Sequence, residues 1–213
     1  MHLDARPVRT PARALLTLPS EGLAKAVAAE WRGVGDKIDP RAMPFTGLAN
    51  AAIDRVAPDP QQFATDIAKY AEADLCCYRA EGPALLIERQ EEAWDARLAW
   101  ARSRYGVHFR TTSGLMHVEQ PAATVEILSA AVHALDPFRL AGLSPLVTIG
   151  SSLVTALALL EKAVSLEDAW SAVSIDEHWQ LEQWGSDTEA ELALENRRRD
   201  FIAAAQFLEL LDS

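Results

Sequence analysis

An α+β fold is what this 213-residue chain predicts: a small N-terminal α+β unit over residues 1–58, then a larger, mainly helical domain over residues 59–213. Three observations carry that expectation. The first twenty residues set Pro7, Pro11 and Pro19 among short apolar runs, a pattern that suits hairpin or edge strands and opposes helix. From Gln61 onward, apolar residues recur mainly at three- and four-residue spacings, the period of an amphipathic helix. Between the two lies Asp59-Pro60, which marks a turn and the domain boundary. With 49% hydrophobic and 24% charged residues, the chain can build a sizeable core and does not have the composition of a disordered protein.

The elements follow in order. Ser20 caps a first helix whose apolar positions are Leu23, Ala24, Val27, Ala28 and Trp31, and Gly33 and Gly35 end it. Asp39-Pro40 and Met43-Pro44 form a stiff connector, and Thr46 starts a second helix through Ile53. Phe63, Ile67 and Tyr70 mark a third helix, complete before Gly82-Pro83; Glu91, Trp94, Leu98 and Ala101 mark a fourth, ending near Gly106. Residues 107–118 alternate around Ser113-Gly114 and predict a strand or small hairpin, with His108 and His117 facing each other across it. Pro121 opens a helix through Leu135. A buried helix over 145–162, with Pro145 in its first turn, comes next. Ser165 caps a helix running to Trp184, and Ser186-Asp187-Thr188-Glu189 is a capping box for a last helix to Leu211.

The helix predicted over Ser165–Trp184 holds the candidate site. At about 100° per residue, Leu166, Trp170, Val173, Leu181 and Trp184 form one apolar stripe, and Glu177 projects into its middle. An ionised carboxylate buried without a partner costs several kcal/mol, so such a group is paired, protonated or placed for a ligand. Two readings stand side by side: a salt bridge to another helix, or a functional carboxylate on an aromatic-rich face. On this reading Trp170 and Trp184 pack inward, and Trp179 lies on the opposite face.

Charge narrows the function classes. The chain carries a formal −11, and residues 161–213 account for −9 of it, with 13 acidic and 4 basic side chains. An acidic C-terminal third argues against nucleic acid, because phosphate binding needs clustered Lys and Arg. No glycine-rich loop leads into Lys-Ser or Lys-Thr, so nucleotide binding has no support. The Gly-x-Ser-x-Gly pattern of an esterase elbow is absent, and five dispersed histidines show no zinc spacing. The two cysteines, Cys76 and Cys77, are adjacent; that suits reduced structural thiols in a cytoplasmic-type compartment. Arg197-Arg198-Arg199 reads as counter-charge to Glu191 and Glu195, or as a dock for an acidic partner segment. The uncharged run from Leu140 to Leu160 contains Gly, Ser, Thr and Pro and reads as a buried helix, not a membrane span.

Four blocks, in order, carry a family resemblance. They are Ala29-Glu30-Trp31; the run from Ile38 to Asp54 with Asp39-Pro40 and Met43-Pro44-Phe45-Thr46-Gly47; Asp74-Leu75-Cys76-Cys77-Tyr78-Arg79-Ala80; and Asp176-Glu177-His178-Trp179-Gln180-Leu181-Glu182-Gln183-Trp184-Gly185. A fainter match runs through Gln90, Trp94-Asp95, Thr112-Ser113-Gly114 and Gln120-Pro121. Together they resemble the assembly chaperones of the ATP synthase α subunit. The chain departs from that pattern in Leu3-Asp4-Ala5-Arg6-Pro7, where Ala5 takes a glycine position; either the turn differs or a strand precedes the sequence.

The resemblance implies a non-enzymatic binding protein without cofactor or metal, which holds the unassembled α subunit of the catalytic head until it meets β. It implies partner-binding roles for Asp176, Glu177, Trp179, Gln180 and Trp184, no nucleic acid or nucleotide, and no membrane insertion. The implied location is a bacterial cytoplasm, or the mitochondrial matrix if a presequence has been removed. The rival reading is an enzyme using Glu177 with His178 or with Cys76 and Cys77, which would need a concave pocket of convergent polar groups. A membrane-associated assembly subunit is a third reading; it depends on the run 140–160 and fails if that helix is buried.

Overall fold

The computed structural model describes residues 2–3, 6–114, 116–185 and 187–213. Two short strands, β1 (His2–Leu3) and β2 (Arg6–Pro7), pair antiparallel, and a bridge between Arg9 and Leu15 continues the extended segment. This is the hairpin the prolines predict. The residues of its first turn, Asp4 and Ala5, lie outside the described set. Asp54 fastens the segment to the body, accepting from the Thr10 hydroxyl at 2.6 Å and the Ala12 amide at 2.9 Å.

Helix α1 (Glu21–Arg32) has the predicted Ser20 cap, whose oxygen accepts from the Leu23 amide, and it buries Leu23 and Val27. Helix α2 (Pro44–Ala51) begins at Pro44, two residues before the predicted Thr46. Its exposed amides are satisfied from outside: the Glu30 carboxylate of α1 accepts from the Phe45 and Thr46 amides, both at 2.8 Å, and from the Thr46 hydroxyl at 2.6 Å. A π-helical turn over Ala52–Val56 leads to Asp59, which caps α3 (Pro60–Ala68). Two 3-10 turns, Lys69–Glu72 and Leu75–Cys77, precede strand β3 (Tyr78–Arg79) and the long α4 (Ala84–Tyr105), which Gly106 ends at φ 70.

Of the strand or small hairpin predicted over 107–118, a short strand forms and the hairpin does not. Strand β4 (Thr112–Ser113) runs parallel to β3, and the backbone before it pairs with side chains instead of a neighbouring strand. The buried Gln120 side chain makes both hydrogen bonds to the Arg110 backbone, at 2.8 and 3.0 Å, and the Thr124 hydroxyl bonds both backbone groups of His108. His117 lies against the Tyr78 hydroxyl at 3.2 Å, and no strand pairing among the described residues sets His108 opposite it. Leu115 lies outside the described residues.

Helix α5 (Ala122–His133) matches its prediction, but the single helix over 145–162 is two. Helix α6 (Pro137–Gly150) holds Pro145 inside it and ends where Ser151 turns left-handed at φ 51; α7 (Leu153–Leu160) starts afresh from a Ser152 cap. Both are heavily buried, and no helix among the described residues is long and apolar enough to cross a membrane. Helix α8 (Leu166–Val173) keeps its Ser165 cap, α9 (Ile175–Trp184) follows it, and α10 (Thr188–Leu211) closes the chain. The cap of α10 is Asp187, whose carboxylate accepts from the Glu189 amide; Ser186 lies outside the described residues.

The architecture is mainly helical with small β elements, the α+β class the sequence predicts. One large core runs through α3 to α8 and α10, with Trp94, Leu98, Leu143, Leu153 and Phe201 almost wholly buried. A smaller one gathers Leu16, Leu23, Val27, Ala49 and Phe207.

Candidate functional site

The predicted helix over Ser165–Trp184 breaks at Ser174, and that break builds the site. Ser174 is fully buried at φ −119, ψ 17; its hydroxyl and amide both donate to the Trp170 carbonyl, at 2.7 and 3.1 Å, ending α8. Its own carbonyl accepts from His178, starting α9 in a new direction. The apolar stripe therefore does not run through to the end of α9: Leu181 still packs, partly buried, against the large core, but Trp184 does not. Trp170 is buried as expected, but Trp184 is 81% exposed and Trp179 only 8%. The inward and outward assignments of Trp179 and Trp184 are reversed, because the 100° step does not carry through the break.

Each carboxylate of α9 has a partner. Asp176 accepts from Gln90 Nε2 at 2.7 Å, and Gln90 Oε1 accepts from the Ala80 amide at 2.7 Å. The buried Gln90 thus ties α4, β3 and α9 together. Glu177 accepts from Arg197 Nη1 at 2.5 Å, and Arg197 Nη2 donates to the Ile149 carbonyl at 2.9 Å, at the C-terminal end of α6. The Glu177 and Arg197 side chains are 34% and 40% exposed, so the pair belongs to the surface and not to the buried stripe expected for Glu177. Arg197 is accordingly not the counter-charge of Glu191 or Glu195; Arg198 lies 3.9 Å from Glu195 and Arg199 3.3 Å from Asp200. Glu182 binds Arg89 through both oxygens, at 2.9 and 2.8 Å, and the Arg89 guanidinium stands 5.1 Å from the Trp179 ring centroid.

Three open hollows surround α9. The largest, about 650 Å³, lies between α9 and the Tyr78–Leu86 segment, with Gln90 at its base and Trp179 and Trp184 on its wall. A second of about 300 Å³ includes Trp94, Ile149 and the Glu177–Arg197 pair. A third of about 400 Å³ lies between the end of α9 and the start of α10, beside Leu181, Asp187 and Ala190. Gln180 lines all three and Trp184 two of them. The five residues singled out in the sequence, Asp176, Glu177, Trp179, Gln180 and Trp184, therefore share one helix with openings on several sides. Sequence reasoning missed Arg89 and the Pro83–Leu86 wall. Gln90, Trp94 and Gly114 of the faint match, and Leu75, Tyr78, Arg79 and Ala80 of the third block, are the added lining residues with a sequence signal.

The components of the rival enzyme do not converge. Cys76 is fully buried, with Sγ 3.5 Å from the Ser152 hydroxyl and 3.6 Å from that of Thr155, and neither cysteine lines a hollow beside α9. Burial, then the nearby Asp74 carboxylate, pushes both thiols up, Cys77 to about 12, so both are protonated at neutral pH and poor nucleophiles. His178 is exposed to solvent. No group of three or more His, Cys, Asp or Glu among the described residues is placed to hold a metal ion.

Comparison with solved structures places this helical body in a class of chaperones. It superposes on Atp12 from Paracoccus denitrificans with a TM-score of 0.94 and 40% identity, covering 99% of this chain and 90% of that one. Atu1473 from Agrobacterium tumefaciens gives 0.93 and 37%, covering 99% and 79%. The family model described as ATP12 chaperone protein matches residues 1–102. Mitochondrial atp12 of Schizosaccharomyces pombe is 23% identical over 198 residues, 87% of this chain and 68% of that protein. The chain belongs to the ATP12 chaperone family.

Proposed function

We propose that this protein is an assembly chaperone of the ATP synthase catalytic head: it binds the unassembled α subunit and keeps it soluble until β takes its place. The observation that carries the reading is the exposed Trp184 on α9, between two open hollows and beside Glu177 and Gln180, in a member of the ATP12 chaperone family. An indole left in water has large apolar area to bury and little rotamer entropy to lose, which suits an interface anchor. Function of this kind needs no turnover. A partner that covers an exposed interface lowers the concentration of aggregation-prone free chains by mass action. β competes for an overlapping surface, so the affinity is moderate. The protein acts without nucleotide or other cofactor, in a bacterial cytoplasm or a mitochondrial matrix.

Co-expression with the α subunit of the same organism tests this, read as soluble α and as α that co-purifies. Glu177→Lys removes a pair that is one-third exposed and places two cations together, a change of about 1 kcal/mol or less in stability. Its melting curve should stay close to the parent's while α solubility collapses. Trp184→Ala should behave alike. Glu182 cannot serve as the control because it holds Arg89; the exposed Glu92 of α4, changed to Lys, serves instead. A folded Glu177→Lys protein that still rescues α would overturn the role of Glu177. Failure of the parent protein to hold α would overturn the function.

A further inference from the structure

The first two turns of α10 project from the body. Residues 188–193 are all exposed, an overhang of about 9 Å at the helical rise, and Leu192 is 61% exposed. This overhang and the end of α9 enclose the hollow of about 400 Å³, whose walls are the Trp184 indole, Leu181 and Ala190. Glu177, Gln180 and Asp187 also line it, so apolar and acidic groups meet in one hollow, and the exposed Glu189 and Glu191 flank Ala190 at its rim. From Asp176 to Glu195 the sequence holds seven carboxylates and no lysine or arginine. Four of them are occupied: Asp176 by Gln90, Glu177 by Arg197, Glu182 by Arg89 and Glu195 by Arg198. Asp187, Glu189 and Glu191 have no cationic partner among the described residues, and all three are exposed.

We propose that this hollow seats a cationic segment of the client α subunit: one large apolar side chain packs against Trp184 and Ala190, and flanking Lys or Arg side chains meet Glu189 and Glu191. The proposal rests on the α subunit being the client and adds where, and by what chemistry, one of its segments is held. Charge decides between occupants. A nucleic acid or an anionic membrane surface is repelled by the rim, and a second copy of this chain, itself at −11, brings the same carboxylates to the contact. A cationic segment with an apolar anchor satisfies both the indole and the rim.

The test uses the complex purified from co-expression. Its dissociation constant should rise about tenfold between roughly 50 and 500 mM salt, because the rim contacts lie near the surface and are screened. Two variants address the hollow without touching Asp187, the cap of α10: the pair Glu189→Lys with Glu191→Lys, and Ala190→Arg. Each should melt within a few degrees of the parent and capture α about tenfold less well. The charge-reversed pair should also flatten the salt dependence. If both variants fold and capture α as the parent does, the proposal falls while the client reading survives. If the parent captures no α, the client reading itself falls. A parent dimer in sedimentation, dissolved by Trp184→Ala, would assign the hollow to a second copy and overturn the proposal as well.

Discussion

Asp74 is fully buried, and its carboxylate accepts from the Cys76 amide and the Ser152 hydroxyl through Oδ1 and from the Val154 amide through Oδ2. One side chain thereby caps α7 from the far side of the core, 80 residues away along the chain. In Asp74→Asn the first oxygen can keep two of these bonds, but the amide nitrogen then opposes the Val154 N–H. The expected cost is about 1–3 kcal/mol in urea unfolding, the penalty of one buried donor left unmet. Desolvation pushes the Asp74 carboxyl above its usual 3.8 despite the three hydrogen bonds. A folded-state value raised in this way contributes stability that is full below pH 3.8 and is lost as pH climbs through the raised value. The stability difference between the parent and Asp74→Asn should therefore shrink as pH rises from about 4. The neighbouring thiols give a second check. At pH 8 a thiol reagent should modify neither Cys76 nor Cys77 in the folded protein and both in denaturant; rapid native labelling would show a functional role that burial does not allow. At this scale the sequence was informative about residue type and silent about partner: adjacency of the cysteines argued for structural thiols, while nothing marked Arg89 as the cover of Trp179.

Elements were legible where caps are local and lost where tertiary contacts decide. Ser20, Asp59, Ser152 and Ser165 each cap the helix that follows; Ser20 and Ser165 are legible as a Ser before an apolar period, whereas Asp59 reads as a turn and boundary. The merged helix over 145–162 missed its break because Leu153–Leu160 is apolar on every side, so the period gives no phase; the cap at Ser152 was the available signal. The break at Ser174 has no Gly or Pro to announce it, and that single miss turned Trp184 inward and Glu177 into a buried carboxylate. The hairpin over 107–118 does not form for another reason: Gln120 and Thr124 take the backbone bonds a partner strand would make. Helix α6 against α10 supplies a test of packing. A Cβ on Gly142 would lie 2.6 Å from Leu208 Cδ2, 2.8 Å from its Cγ and 3.0 Å from Phe207 Cδ1. Gly142→Ala gains about 1 kcal/mol of helix propensity yet must move two side chains of the neighbouring helix at about 1–3 kcal/mol. A net loss is expected, and Gly142→Leu should fail to fold; a stabilised Gly142→Ala in chemical denaturation would show that α10 can shift outward freely.

Across the whole molecule, the last helix joins both cores. Phe201, Ala204, Ala205 and Leu208 lie in the large one, while Phe207 completes the small one with Leu16, Leu23, Val27 and Ala49. Phe207 also stacks on Phe138 of α6, ring centroids 6.5 Å apart, and the Ser20 hydroxyl that caps α1 donates to the Leu210 carbonyl. No sequence period can report such a link, because the residues it joins are nearly two hundred positions apart. The class was legible from patterning, and the closure of the N-terminal segment by the C-terminal helix was not. The consequence is that the first helix should not open independently of the rest. Phe207→Ala removes a fully buried ring shared between α1, α2 and α6 and should cost about 3–5 kcal/mol, whereas Leu192→Ala, on the exposed overhang, should change stability by less than about 0.5 kcal/mol. Hydrogen exchange separates the two ways this can happen. If α10 couples the cores, amide protection in Phe207→Ala falls together in α1 and α6, at one opening free energy. If protection falls in α1 alone while α6 keeps its parent value, residues 1–58 open as a separate unit, and the α6–α10 contact, not the shared ring, holds the helical body closed.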